Sequence, residues 1–103
     1  MSANRPKHGQ MAVAKTSRPG RLEIVFAAAE ASEVFVAGDF NQWNPKGTPL
    51  RKDPQGVWRA ELQVLPGGHE YRFIVDDQWK DDPQATRFIP NPFGSRNSFV
   101  QVT

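Results

Sequence analysis

Short runs of alternating apolar and polar residues, separated by turns rich in Pro and Gly, recur from Arg21 to the end of the chain. Side chains along a β-strand point alternately to its two faces, so each run predicts a strand with one face in a core. The helix-prone stretch 27–31 is too short and too poorly capped to predict a helix. The pattern therefore predicts an all-β fold, an antiparallel β-sandwich, from strands at 22–26, 34–37, 57–64, 71–75 and 98–102.

The segments between these runs have the composition of turns and loops. Residues 53–56 place Pro second and Gly fourth, as in a β-turn, and 66–68 form another Pro/Gly turn. Asp76 and Asp77 predict a tight turn because Asp tolerates left-handed backbone conformations. The rest of the prediction consists of two irregular loops, 39–49 and 81–95, and a core containing Val36, Trp58, Tyr71, Phe73 and Val100.

Charge is unevenly distributed along the 103 residues, a length typical of one domain. Residues 1–21 contain five basic and no acidic side chains, whereas the remainder contains eight basic and eleven acidic ones. We therefore expect a disordered basic tail at 1–20 and a folded, mildly acidic module at 21–103. Clustered Lys and Arg on a folded body are typical of nucleic-acid binding, so no specific nucleic-acid partner is expected.

Several kinds of site are excluded by residues that the chain lacks. It contains no Cys, which excludes disulfides, thiol nucleophiles and Cys-based zinc sites. No apolar run approaches the roughly 20 residues that span a bilayer, and no segment typical of a signal peptide follows Met1. We expect a cytoplasmic protein with no membrane partner, no cofactor and no metal.

Two adjacent pairs of acids, Asp76–Asp77 and Asp81–Asp82, are the best candidates for catalysis, because glycosidases use paired carboxylates. Neighbours on a solvated turn point apart, however, and such a turn does not raise the pKa of an acid. His8 and His69 form no evident catalytic dyad. The sequence therefore predicts no catalytic residues and a protein that is not an enzyme by itself.

The three tryptophans fall into two groups. Trp58 fits the alternation of its strand and is expected in the core, whereas Trp43 and Trp79 lie among polar residues. Large apolar side chains displayed in polar loops often form a contact surface, although each Trp can instead cover one end of the sandwich. Flat indoles suit the C–H faces of sugar rings, and Arg72 and Asn97 can bond the hydroxyls.

Three ordered motifs carry a family resemblance: VFVAGDFNQW at 34–43, YRFIVDDQWKDDP at 71–83 and GSRNSFVQV at 94–102. Over 21–103 the chain resembles the family 48 carbohydrate-binding modules, which include the glycogen-binding domain of the AMP-activated kinase β subunit and the N-terminal early-set domain of isoamylase. The resemblance implies an immunoglobulin-like, early-set sandwich with one glucan groove, which binds without cleaving.

The resemblance also implies the residues of that groove. Arg72 stands where Lys is usual in the kinase-type members, which keeps the charge but changes the hydrogen-bond geometry. Phe93 stands where Leu is common, and it either stacks on the sugar or belongs to the core. The six carbohydrate-binding residues implied in this way are Trp43, Arg72, Trp79, Phe93, Ser95 and Asn97.

Two functions follow from the resemblance. The first is non-catalytic binding of an α-1,4-glucan, glycogen or a starch-like polymer, by stacking of sugar rings on two exposed tryptophans, Trp43 and Trp79. The alternative is an early-set structural or regulatory interaction domain, associated with a glucan-metabolising enzyme or kinase, with little or no sugar binding. The two tryptophans favour the first. The expected partners are an α-glucan oligosaccharide or polysaccharide and a separate glucan-metabolising enzyme.

Overall fold

A computed structural model of the chain describes residues 12–103. Within this range the secondary structure consists of strands, with no helix, and the predicted all-β class is confirmed. It follows that no described helix is long and apolar enough to cross a membrane. The nine strands are β1 (Ala12–Arg18), β2 (Arg21–Ala27), β3 (Val34–Gly38), β4 (Arg51–Lys52), β5 (Val57–Gln63), β6 (Gly67–Val75), β7 (Gln78–Lys80), β8 (Phe88–Pro90) and β9 (Arg96–Val102).

The strands form two sheets, as expected for an immunoglobulin-like sandwich. The first sheet has the order β1-β2-β5-β4, and the second has the order β3-β6-β9-β8, with β7 pairing to the end of β6. All of these pairings are antiparallel. The two sheets bury their facing sides against each other, which leaves the outer face of the second sheet available for a site.

The core lies between β2 and β5 of the first sheet and β3, β6 and β9 of the second. The rings of Phe26 on β2 and Phe73 on β6 lie 4.6 Å apart and so join the two sheets. Of the predicted core residues, Val36, Trp58, Tyr71 and Phe73 are buried. Val100 is only partly buried, because a cavity of about 310 Å³ opens beside it.

Strand β1 corrects the prediction of a disordered tail over 1–20 for the part that the structure describes. Its backbone pairs with β2 from Ala12↔Phe26 to Arg18↔Arg21. Gly20, with φ of 75°, makes the turn, and its N–H and C=O bond to the carbonyl of Thr103 and the N–H of Val64. Backbone pairing of this kind leaves no signature in side-chain alternation. The remainder of the predicted tail, 1–11, lies outside the described residues.

Two predicted irregular segments also contain strands. The turn predicted at 66–68 is partly β6, where Gly68 pairs with Gln101 and the Phe99 ring fills the space that a side chain on Gly68 would occupy. The loop predicted at 81–95 contains β8, which pairs with β9 at the edge of the sheet. Pro is tolerated on an edge strand because its missing N–H removes no ladder bond.

The predicted turn at Asp76 and Asp77 is confirmed. Both residues have positive φ, 49° and 71°, which is the pattern of a type I′ hairpin turn. The Oδ1 atom of Asp76 accepts hydrogen bonds from the N–H groups of Ser32 and Glu33 at 2.8 and 2.9 Å. The turn therefore reverses the chain into β7 at a fixed place beside β6.

Candidate functional site

A groove of about 730 Å³ lies over the outer face of the second sheet. Its walls come from the loop after β3, from β6 and β7, and from the segment that joins β8 to β9. All six residues predicted from the resemblance lie in this groove, together with two that the sequence did not single out. The lining residues are Trp43, Arg72, Trp79, Asn91, Pro92, Phe93, Ser95 and Asn97.

Trp79 is placed by the β6–β7 hairpin. It pairs directly with Ile74, so its ring projects from the same face as Ile74 and Arg72, opposite the core residue Phe73. Its side chain is 44% exposed, and the guanidinium of Arg72 lies 6.0 Å from its ring centroid. Trp79 therefore does not plug the end of the sandwich.

Trp43 is held by an unusual loop conformation. Gln42 and Trp43 both have positive φ, 57° and 58°, a region that non-glycine residues occupy only when surrounding contacts require it. The N–H of Trp43 donates to the Gly38 carbonyl at 2.9 Å. Trp43 is partly buried and lies outside the core cluster, so the expectation of two exposed tryptophans is correct for Trp79 and wrong for Trp43.

The side chain of Asn41 ties this loop together. Its Oδ1 accepts from the Gly38 N–H at 3.0 Å, and its Nδ2 donates to the Val36 carbonyl at 3.1 Å and to Thr48 Oγ1 at 2.9 Å. Gly38 is required here, because a Cβ atom would lie 2.5 Å from the Phe40 ring and 2.6 Å from the Glu70 carbonyl. These contacts fix the backbone that carries Trp43.

Phe93 lies at the tip of a loop organised by Asn91. The Oδ1 of Asn91 accepts hydrogen bonds from the N–H groups of Phe93 at 3.0 Å and Ser95 at 3.1 Å, and Gly94 has φ of 81°. The Phe93 side chain is 89% exposed. Of the two interpretations of Phe93, the core one is therefore wrong, and the ring stands at the rim of the groove.

Asp81 links two arginines beside the groove. Its Oδ1 accepts from Arg72 Nη2 at 3.2 Å, and its Oδ2 accepts from Arg96 Nε at 2.9 Å. Arg96 in turn lies 3.8 Å from the centroid of the Phe88 ring. Among the described residues, no acceptor reaches the buried Nε of Arg72. Asp81 thus orients Arg72, the one cation among the described residues that line the groove.

Asn97 is almost fully buried at the floor of the groove, with 8% of its surface exposed. Its Nδ2 donates to Glu70 Oε1 at 3.0 Å, and its Oδ1 accepts from Asn91 Nδ2 at 3.0 Å. Sequence reasoning missed both partners. Asn91, between two prolines, has the composition of a turn former, whereas Glu70 carries no signal beyond its place in a strand.

Three of the four acids considered for catalysis, Asp76, Asp81 and Asp82, have separate structural partners. Asp82 is buried and accepts from the Tyr71 hydroxyl at 2.5 Å, while Asp81 binds the arginines on the outer face. Burial and the bond to Asp82 raise the pKa of Tyr71 well above its usual value. Asp76 is bonded to backbone N–H groups across the turn. Because the carboxylates of Asp81 and Asp82 bond to residues on opposite faces of the sheet, they do not face a shared substrate.

His69 lies at the start of β6 and contacts an acceptor with each ring nitrogen. Its Nδ1 is 2.6 Å from Asp39 Oδ1, and its Nε2 is 2.6 Å from the Leu65 carbonyl. Partial burial by itself favours the neutral ring, but the bonds to Leu65 and Asp39 outweigh it and raise the pKa of His69. His69 thus has a structural role, and His8 lies outside the described residues.

Comparison with known proteins gives consistent matches. A family model described as the glycogen recognition site of AMP-activated protein kinase matches residues 22–103. The 5'-AMP-activated protein kinase subunit beta-2 of Homo sapiens is 32% identical over 88 residues, which are 85% of this chain and 31% of that subunit. The subunit beta-1 of Sus scrofa is 31% identical over 88 residues, 85% of this chain and 69% of the curated sequence.

A plant relative matches more closely over a shorter length. Protein PTST homolog 2, chloroplastic, from Arabidopsis thaliana is 43% identical over 73 residues, which are 71% of this chain and 13% of that protein. The chain therefore spans less than a third of the beta-2 subunit and a still smaller part of the plant protein.

Proposed function

Because this chain belongs to the family of the glycogen recognition site of AMP-activated protein kinase, we propose that it binds an α-1,4-glucan, such as glycogen or a starch-like polymer, without cleaving it. The observation that carries the proposal is the convergence of residues from three separate motifs on one groove. Its volume of about 730 Å³ is within the range of about 300–1,000 Å³ common for small-ligand sites.

The aromatic residues of the groove supply the apolar part of the proposed interaction. A sugar ring presents a face of C–H groups, and a rigid indole meets it with a large surface at low cost in conformational entropy. Trp79 offers its exposed ring, and the less exposed Trp43 lines the same groove. Phe93, at the rim, adds a third aromatic contact.

The polar residues supply partners for the sugar hydroxyls. Arg72 has guanidinium N–H groups besides the one bonded to Asp81. Asn97 has one amide N–H and one oxygen lone pair beyond its two bonds. The Ser95 hydroxyl can donate and accept. Stacking gives affinity, and these groups give selectivity for a ligand rich in hydroxyls.

The relatives also suggest a protein partner. One is by name a subunit of a kinase and another is by name a chloroplastic protein. We propose that the chain brings a separate glucan-metabolising enzyme or kinase to the glucan. The proposed location is the cytoplasm, and imaging of a fluorescently tagged full-length protein tests it against a plastid.

Isothermal titration calorimetry with maltoheptaose and β-cyclodextrin tests the proposed function. We expect saturable binding in the micromolar to millimolar range, quenching of Trp fluorescence, and retention of the chain on glycogen in a pull-down. Cellohexaose, a flat β-linked chain of the same sugar, is the matched control and is expected to bind much more weakly. Absence of binding to every α-glucan would overturn the proposal in favour of the early-set interaction domain.

A further inference from the structure

A directional chain of hydrogen bonds lies under the groove. It begins at the backbone N–H groups of Phe93 and Ser95, which bond to Asn91 Oδ1. It continues from Asn91 Nδ2 to Asn97 Oδ1 and from Asn97 Nδ2 to Glu70 Oε1, each at 3.0 Å. The side chains of Asn91, Asn97 and Glu70 therefore form one relay, which passes through Asn97 at the floor of the groove.

The chemistry of the two ends sets the direction of this relay. Backbone N–H groups can only donate, so the Asn91 side chain must turn its oxygen toward them and its NH2 group toward Asn97. An ionised carboxylate can only accept, so Glu70 must face the NH2 group of Asn97. Both ends impose the same orientation on Asn97. An amide that can otherwise be turned by 180° at little cost thus has one preferred orientation.

Glu70 is itself held in place by the fold. Its backbone N–H donates to Asp39 Oδ2 at 2.8 Å, and it pairs with Phe99 across β6 and β9. Since side chains two residues apart on a strand share a face, Asn97 on β9 projects on the same side as Phe99 and Glu70. The carboxylate therefore stands beside the amide because of strand register.

From this geometry we propose that Glu70 and Asn91 are positioning residues, which fix the orientation of the Asn97 amide for sugar binding. The inference rests on the proposed function of the groove. The bond to Glu70 uses one of the two N–H groups of Asn97, and the bond from Asn91 uses one of its two oxygen lone pairs. One donor and one acceptor remain at fixed positions for the hydroxyl groups of a glucan, which both donate and accept.

Variants that change the polarity of one end test the relay. Glu70→Gln retains an acceptor oxygen, so its affinity for maltoheptaose should stay close to that of the unmodified chain. Glu70→Lys offers only donors, and Asn91→Asp offers only acceptors, so each opposes the orientation that the other end imposes on Asn97. Each of these two variants should bind maltoheptaose about tenfold more weakly, the equivalent of roughly one lost hydrogen bond.

The double variant Asn91→Asp/Glu70→Lys separates positioning from simple stabilisation. With both ends reversed, Asn97 can turn over, donate to the new carboxylate and accept from the new ammonium group. Its thermal midpoint should therefore recover relative to the single variants. Its affinity for maltoheptaose should stay low, because the turned amide offers its remaining donor and acceptor in exchanged positions.

Calorimetry with maltoheptaose, thermal denaturation, and ¹⁵N NMR of the Asn side-chain amides in the free protein give the required readouts. We expect slowly exchanging Asn97 amide protons in the unmodified chain and in Glu70→Gln, and fast exchange in the Glu70→Lys variant. Equal affinity of Glu70→Lys and the unmodified chain would overturn the relay, as would recovery of both stability and affinity in the double variant. If the unmodified chain binds no α-glucan, the proposed function itself is overturned. The proposed role of the relay in sugar binding is then overturned as well.

Discussion

The guanidinium of Arg72 lies 6.0 Å from the centroid of the Trp79 ring. The alternation of side chains along β6 explains this arrangement, because Tyr71 and Phe73 enter the core between the sheets while Arg72 lies on the opposite face. Ile74, which is also buried, lies on that same face and pairs with Trp79. A cation over an exposed indole contributes about 0.5–1 kcal/mol. The same strand thus builds the core and positions a cation and an aromatic ring side by side in the groove.

Removal of the Trp79 ring should abolish binding with little effect on folding. Trp79 is 44% exposed, so Trp79→Ala is expected to change the free energy of unfolding by less than about 1 kcal/mol. Binding of maltoheptaose should fall below detection in calorimetry because the more exposed of the two groove indoles is gone. Leu65→Ala, which removes a side chain that is 80% exposed and outside the groove, is the matched control. Unfolding of Trp79→Ala would instead indicate that the ring is structural.

Loss of the Asp81 carboxylate should weaken glucan binding through Arg72. Asp81→Asn removes the ionic partner of Arg72 and Arg96, so the guanidinium in the groove gains rotational freedom that sugar binding must then remove. We expect affinity for maltoheptaose to fall about threefold to tenfold, and stability to change by about 0–1 kcal/mol because these ion pairs are partly solvated. Calorimetry and urea denaturation measure the two effects. An unchanged affinity would show that Asp81 does not position Arg72.

Strands with strict alternation could be predicted from the sequence, and the hairpin at Asp76 could be predicted from its turn chemistry. Strand β1 could not, since it is defined by its backbone pairing with β2 in the assembled sheet. The contacts of Asn97 with Asn91 and with Glu70, six and 27 residues away, also depend on the assembled sheet.

The residues of the candidate site could be predicted from the sequence for a different reason. Its tryptophans stand out as aromatic residues that break the strand pattern. The three motifs of the family resemblance then assign these and the polar residues to one groove. Exposure was harder to predict than position: Trp43 is partly buried, and it lies on a left-handed backbone at Gln42 and Trp43. Such a conformation is imposed by the bonds of Asn41 to Gly38 and Thr48, which no local propensity indicates.

Trp58, in contrast to the groove tryptophans, should be needed for stability. Its side chain is 7% exposed, and its Nε1 donates to the Ala28 carbonyl at 2.9 Å. Trp58→Ala is expected to lower the free energy of unfolding by about 3–5 kcal/mol through the cavity that it leaves. Trp58→Phe keeps most of the buried surface and should cost less, since it loses the hydrogen bond and part of the ring. Urea denaturation measures both, and equal losses would contradict a packing role.

The stability of the fold should fall as pH rises through the titration of His69. Because the bonds to Leu65 and Asp39 raise the pKa of His69 in the folded state, the cationic ring contributes stability that is fully present below its ordinary pKa of about 6.5. That contribution is lost as pH rises through the higher folded-state pKa. Urea denaturation from about pH 5.5 to about pH 8.5 should therefore show a decline in the free energy of unfolding that His69→Gln lacks.

Asp53 does not interfere with this measurement, since the Val57 N–H holds the pKa of Asp53 below its usual value and Asp53 titrates below this range. Parallel pH profiles for the unmodified chain and His69→Gln would exclude a cationic His69, because only a charged ring can donate to both Asp39 and Leu65.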